Sequence, residues 1–210
     1  MRVLVACEES QTVANAFRRL GHEAYSCDLQ ACSGGHPEWH LQVDALEMLK
    51  IRWDMIIAHP PCTYLTSSSA IRLFNADHTI KDQERLEKGR AAAAFFMKMW
   101  GGYCKRIAIE NPTPMKIFGL PDYSQIIEPY MFGDPWRKRT CLWLKGLPPL
   151  IPTEAPVEPE GLWVDSTSKR RDPTVAQRYR LPGNRDPKRR SKTFPGIARA
   201  MAEQWGRLED

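Results

Sequence analysis

Asp54-Met55-Ile56-Ile57-Ala58-His59-Pro60-Pro61-Cys62 is the stretch on which the fold turns. Its first half is a short apolar run of the kind that fills a strand buried on both faces of a parallel sheet. Two successive prolines cannot donate to a ladder, so the chain must leave the strand at Pro60, and Cys62 falls in the loop at the strand's carboxyl end. The same alternation recurs on either side. Arg2 to Ala6 predicts a first buried strand, Ser10 caps a helix carrying Ala14, Phe17 and Leu20 that stops at Gly21, and Glu23 to Cys27 predicts a second strand ended by Asp28. A short helix over Ala45 to Leu49 precedes the strand at 54–58. Beyond it, a helix from about Ile80 to Trp100 is apolar on nearly every face between Ala91 and Met99 and is expected to be buried there. Arg106 to Ile109 is the next strand and leads into Glu110-Asn111-Pro112. Alternating strands and helices build a mostly parallel sheet with helices on both faces, the α/β class.

Ile126 to Met131 and Thr140 to Leu144, joined by Phe132 to Arg139, predict a hairpin of two further strands. Between Gly146 and Lys192 the apolar period fades and prolines accumulate, which predicts mostly loop. Ile197, Ala198, Met201, Ala202 and Trp205 recur at helical spacing and predict a helix that docks back onto the core. A chain of 210 residues builds one full-sized core. The expected division is a main domain over 1–145, a basic, proline-rich segment over 146–192 and a returning helix over 193–210.

Net charge is only +5, yet Lys169, Arg170, Arg171, Arg178, Arg180, Arg185, Lys188, Arg189, Arg190 and Lys192 crowd one segment with Asp172 and Asp186 alone opposing them. Such a run is either a solvated loop or a surface for a polyanion, with Arg170, Arg171, Arg189 and Arg190 as candidate nucleic-acid contacts. No stretch reaches the roughly 18 to 20 apolar residues that span a bilayer, so no membrane segment is expected. The amino terminus lacks the pattern of a secretory leader, and six scattered cysteines lack the spacing of a disulfide framework. A cytoplasmic, reducing location is therefore expected. Cys27, Cys32, His36 and His40 are spaced somewhat like a zinc site, but Cys27 should end a buried strand, and no metal is expected.

Ligands of open α/β sheets lie beyond the carboxyl ends of the strands. Those ends carry Cys7-Glu8-Glu9-Ser10, Asp28, Pro60-Pro61-Cys62 and Glu110-Asn111, with Asp44 before the next helix. An acid ending the second strand can hold the ribose hydroxyls of a nucleoside cofactor, although an aspartate there is also a common turn residue. Cys62 and Glu110 become meaningful together in the alkylation of a cytosine ring carbon. That carbon is too poor a nucleophile until a thiolate adds to carbon 6 and a carboxylic acid near the ring nitrogen stabilises the adduct. Such a thiolate needs positive charge nearby, which Arg137 and Arg139 could supply.

The landmarks Pro60-Pro61-Cys62, Glu110-Asn111-Pro112 and Arg137-Lys138-Arg139, followed by Thr140 to Leu144, appear in the order seen in the DNA cytosine-5 methyltransferase family. The chain resembles that family over most of residues 1–145 and 191–207, and is similar to its short, phage-type members. The resemblance implies a Rossmann-like S-adenosylmethionine-dependent methyltransferase fold, DNA as substrate and S-adenosyl-L-methionine as cofactor. It implies Cys62 as nucleophile, Glu110 on the target cytosine, Arg139 on the base and Arg137 on the surrounding loop. Asp28 would take the ribose and Asp44 the adenine amine. Ala6, Cys7, Glu8, Glu9 and Ser10 would line the cofactor loop, with Leu29, Ala45, His59, Pro60 and Thr193 completing the cofactor site.

Two positions depart from the family. The cofactor loop contains no glycine, and Pro135 replaces the glutamine that usually precedes the two arginines. The segment from Lys145 to Lys192 is too short and too charged for a full target-recognition domain, which predicts low sequence specificity or a partner protein that supplies recognition. Amino-methyltransferases also carry a proline pair, followed by a stacking aromatic; Cys62 argues against that route, while Tyr64 keeps it open. Two further alternatives stay open: the same chemistry on RNA, a nucleotide or a modified base, and a nucleic-acid-binding relative without catalysis.

Overall fold

A computed structural model describes residues 1–153, 156 and 191–208. The elements run β1 (Arg2–Ala6), α1 (Thr12–Arg19), β2 (Glu23–Cys27), β3 (His40–Leu41), α2 (Ala45–Met48), β4 (Met55–Ala58), α3 (Ala70–Leu73), α4 (Gln83–Trp100), β5 (Ile107–Asn111), β6 (Gln125–Ile127), β7 (Thr140–Lys145) and α5 (Pro195–Trp205). Seven strands form one sheet in the order β3-β2-β1-β4-β5-β7-β6. Pairings among β1 to β5 are all parallel, and β7 enters antiparallel between β5 and β6. The expected Rossmann-like α/β fold, with a mostly parallel sheet and a carboxyl-terminal hairpin, is the one observed.

Alternation along the central strands explains the two layers. Val3 and Val5 of β1, with Met55 and Ile57 of β4, face one core containing Phe17 of α1 and Ile197, Met201 and Trp205 of α5. Leu4, Ala6, Ile56 and Ala58 face the opposite core, with Ala45, Phe96 and Met99. Every side chain of β4 is buried because both its faces are covered, which is why its sequence reads as a continuous apolar run. α5 docks against α1, and its Trp205 Nε1 donates to the Pro148 carbonyl at 3.0 Å.

Four local expectations are revised. α1 starts at Thr12 rather than at a Ser10 cap: the Glu8 carboxylate accepts from the N–H groups of Val13 (2.7 Å) and Ala14 (3.2 Å), while Ser10 Oγ bonds Thr12 Oγ1. α4 starts at Gln83, where the Asp82 side chain accepts from Arg85 N, and it buries one stripe, Leu86, Gly89, Ala93, Phe96 and Met99. Ala91, Ala94 and Met97 face outward, because a helix lying on a sheet covers only one side of itself. β5 extends to Asn111, so Glu110 belongs to the strand and not to the loop after it. β6 stops at Ile127, because Pro129 turns the chain into a 3₁₀ segment over Pro129–Phe132 before β7.

Among the described residues no helix is long and apolar enough to cross a membrane. Apart from Lys192, the basic cluster, including Arg170, Arg171, Arg189 and Arg190, lies outside the described residues.

Candidate active site

β4 and β5 are parallel neighbours, so the loops leaving their carboxyl ends emerge side by side. They are laced together. The Asn111 side chain donates through Nδ2 to the Pro60 carbonyl at 2.8 Å in a buried contact. Further along, Ser67 N donates to Thr113 O at 2.8 Å and Met115 N to Leu65 O at 2.7 Å. The Cys62 carbonyl accepts from the N–H groups of Leu65 and Thr66, both at 3.0 Å, which curls the chain back immediately after the cysteine. Cys62 itself is half-buried. Tyr64, two residues on, carries the Arg85 guanidinium over its ring at 4.9 Å.

Glu110 sits beside this loop in a small buried charge cluster. Its Oε2 accepts from His59 Nδ1 at 2.9 Å and from the Thr193 hydroxyl at 3.2 Å, and the His59 and Glu110 side chains are only 13% and 10% exposed. Burial alone would raise the Glu110 carboxyl, but the His59 hydrogen bond, the charges of Lys138 and His59, and the Thr193 hydroxyl outweigh it and hold the group well below the usual carboxylate range. For His59, burial disfavours the imidazolium, yet the bond to Glu110 and the Glu110 and Glu8 carboxylates raise its pKa above the ordinary value. Arg137 forms an ion pair with Glu128, Nε to Oε2 at 3.8 Å, and Arg139 is exposed at the foot of β7. Of these three basic residues the one acting on Glu110 is Lys138, which lies between the two arginines. Sequence reasoning passed over it because the Arg-x-Arg pattern draws attention to the flanking positions. The period-2 alternation of an extended chain was the available signal, since it sends residue 138 to the face opposite 137 and 139.

At the neighbouring ends of β1 and β2, the glycine-free loop turns by placing two non-glycine residues in the left-handed region, Cys7 at φ 59° and Gln11 at φ 56°. A second loop folds across it. Ser33 N donates to Glu9 O at 2.8 Å, Gln11 exchanges side-chain hydrogen bonds with the His36 backbone at 2.7 and 3.0 Å, and Gly34 lies so close that a Cβ there would overlap the Gln11 side chain. Asp28 accepts from Gln30 N at 2.8 Å, and Asp44 caps α2 through Leu46 N at 2.9 Å. Both carboxylates remain close enough to Cys7 to act on it: burial, then Asp28, Cys27 and Asp44, push its thiol up to about 12. Glu8 is 4% exposed and committed to capping α1. Glu9 differs. Its side chain is 12% exposed, its Oε1 lies 4.0 Å from Lys192 Nζ, and its Oε2 is buried with no hydrogen-bond partner among the described residues.

The other residues of the expected cofactor site divide by exposure. Ala6, Ala45, Pro60 and Thr193 are buried, and Leu29 is 72% exposed. Cys27 donates to the Val43 carbonyl at 3.4 Å, His40 bonds Ser26 and Gln30 through its two ring nitrogens, and His36 stacks on Trp39. Among the described residues no three or more His, Cys, Asp or Glu side chains are grouped to hold a metal.

No family model matches the chain, and no curated protein matches it. Among solved structures it is similar to an Escherichia coli protein encoded within a prophage and described as a DNA modification methyltransferase, at 14% identity and TM-score 0.41, over 69% of this chain and 46% of that one. It is similar also to the Entamoeba histolytica methyltransferase EhMeth, at 13% identity and TM-score 0.45, over 70% of this chain and 53% of that one. The chain thus spans about half the length of these two proteins.

Proposed function

We propose that the chain is an S-adenosylmethionine-dependent methyltransferase acting on carbon 5 of cytosine in DNA, with Cys62 as nucleophile. The observation that carries this reading is the buried Asn111–Pro60 hydrogen bond, which clamps the Cys62 loop to the strand that bears Glu110. A nucleophile and an acid that must act on one ring need such a rigid link. Cys62 adds to carbon 6, Glu110 governs the proton at the ring nitrogen, and the added electron density makes carbon 5 nucleophilic. Arg139 holds the base, and Arg137, tied to Glu128, holds the surrounding loop.

The residues at the ends of β1 and β2 fit S-adenosylmethionine, which carries a sulfonium and an ammonium on a nucleoside. Glu9, Asp28 and Asp44 are the acids that suit those charges and hydroxyls, and the buried, unpartnered Oε2 of Glu9 is an acceptor suited to a cationic donor. When bound, the cofactor supplies the methyl group. Cys7, held protonated by its raised pKa, does not compete with Cys62 as a nucleophile at neutral pH. Residues 1–145 form the catalytic domain in this reading, 146–192 a reduced recognition region that binds DNA by charge, and 193–210 a closing helix. Target recognition is either loose or completed by a partner protein, in the cytoplasm of a bacterial or phage-infected cell.

Incubation with radiolabelled S-adenosylmethionine and DNA, followed by digestion to nucleosides, should place the label in 5-methylcytosine. DNA carrying 5-fluorocytosine should trap the parent covalently and leave Cys62→Ala untrapped. Trapping of Cys62→Ala overturns the nucleophile assignment; label in an RNA or free-nucleotide control but not in DNA moves the substrate; and absence of transfer to any acceptor favours the binder without catalysis.

A further inference from the structure

We propose that His59 is a positioning residue that holds, on Nδ1, the proton that Glu110 passes to the target ring, so that the two side chains share one proton and recover it in each turnover. This inference rests on the cytosine reading above and adds to it a residue whose role there was only to line the cofactor site. The geometry is specific. His59 is the last residue before the two prolines, its backbone N–H is fixed to the Ala6 carbonyl at 2.9 Å, and its Nδ1 meets Glu110 Oε2 at 2.9 Å with both side chains about nine-tenths buried. Every charged group acting on the ring comes from a different element: Glu110 from β5, Glu8 from the loop after β1 and Lys138 from the chain entering β7. Thr193, ahead of α5, donates to the same oxygen as His59, so Oε2 is fully engaged.

Such surroundings leave Glu110 unable to act as an acid by itself. Lys138 and Thr193 stabilise its carboxylate, and its raised neighbour His59 keeps the proton instead. The step balances as follows. As the Cys62 thiolate, its proton already given to water, bonds to carbon 6, the ring's displaced electron pair is accommodated by protonation of the ring nitrogen through Glu110. Glu110, itself a carboxylate, receives that proton from His59 Nδ1 and hands it on, so the step leaves a neutral imidazole and an unprotonated Glu110. Once carbon 5 carries the methyl group, its hydrogen leaves as a proton to water as Cys62 departs as thiolate, and the ring nitrogen returns its own proton along the same route, restoring the imidazolium. His59 Nε2 is buried without a hydrogen-bond partner among the described residues, so Glu110 is the partner the structure gives the ring.

Two measurements on the full chain test this. In histidine-labelled protein, imidazole nitrogen shifts should show His59 titrating above the ordinary histidine value and falling by more than about one pH unit in Glu110→Gln. Release of tritium from carbon 5 of cytosine in DNA reads adduct formation, and its rate should decline on an alkaline limb. His59→Asn keeps a donor facing Glu110 but cannot store a proton, so its alkaline limb should move down by more than about one pH unit while DNA affinity is kept. His59→Ala, lacking the donor as well, should be slow at every pH. A His59 titration unmoved by Glu110→Gln overturns the proposal whether or not the chain is active. A uniformly slower His59→Asn with an unshifted limb shows a merely structural role and overturns it too. If the parent itself releases no tritium at any pH, the cytosine reading fails, and the delivery step falls with it.

Discussion

Buried charges are tolerated only when paired, and the His59–Glu110 contact makes the folding stability of this protein depend on pH. Glu110 has a depressed pKa, so its contribution is present above its ordinary value of 4.5 and is lost as pH falls through the depressed one. His59 has a raised pKa, so its contribution is complete below 6.5 and is lost as pH rises through the raised one. Both contributions are therefore whole between those ordinary values. Glu110→Gln should cost about 2 kcal/mol in that window, the worth of a hydrogen bond between charged groups, and less at either side of it. Urea denaturation of parent and variant at a series of pH values checks this, and a cost that does not change with pH would show that the pair is not ionic.

At the scale of the element, the closing helix is held by close approach. The Gly196 N–H donates to Asp134 Oδ2 at 2.8 Å, and a Cβ on Gly196 would overlap the Phe132 carbonyl, a backbone atom that cannot swing aside. Helix propensity favours Gly196→Ala by about 1 kcal/mol, but overpacking against backbone costs about 1 to 3 kcal/mol. The variant should be less stable than the parent, with a lower Tm, despite its better helix former. An unchanged or higher Tm would mean that α5 can shift along α1 without loss. The same helix carries Trp205 into the core beneath the sheet, and the burial of that one face is why its apolar residues recur at helical spacing.

Across the whole molecule, chemistry and affinity are assigned to different regions. The sheet and the loops at its carboxyl ends hold the cysteine, the acids and the charged pair, whereas the densest positive charge falls between Lys169 and Lys192. Lysine and arginine on phosphates give affinity without much sequence information, and each contact steepens the fall of binding with salt. DNA affinity should accordingly decline steeply as salt rises. Replacing Arg170, Arg171, Arg189 and Arg190 with alanine should weaken binding to all sequences about equally and flatten the logarithmic salt slope by up to about 4. Bisulfite sequencing of randomised DNA after methylation should show a very short required motif at most. A long, strictly required site read by the isolated protein would contradict the loose recognition proposed for residues 146–192.

Local sequence by itself determined six of the seven strands and most helices of this protein, because buried parallel strands must be continuously apolar, docked helices must repeat their apolar residues at helical spacing, and prolines must end strands. It also determined that Cys62 leaves a strand's carboxyl end, since that follows from Pro60 and Pro61 alone. What only the tertiary structure decided are relations between segments far apart in the chain. Glu8 caps α1 in place of Ser10 because the loop bends back over the helix, at the cost of left-handed backbone at Cys7 and Gln11. The two-residue strand β3 exists only because β2 offers it an edge. His59 meets Glu110 across 51 residues because β4 pairs parallel with β5, and Lys138 rather than an arginine acts on Glu110 from the chain that enters β7, the antiparallel neighbour of β5. Periodicity reports which face of an element is buried, but register and crossover decide which buried groups meet, and these arise from packing of the whole sheet.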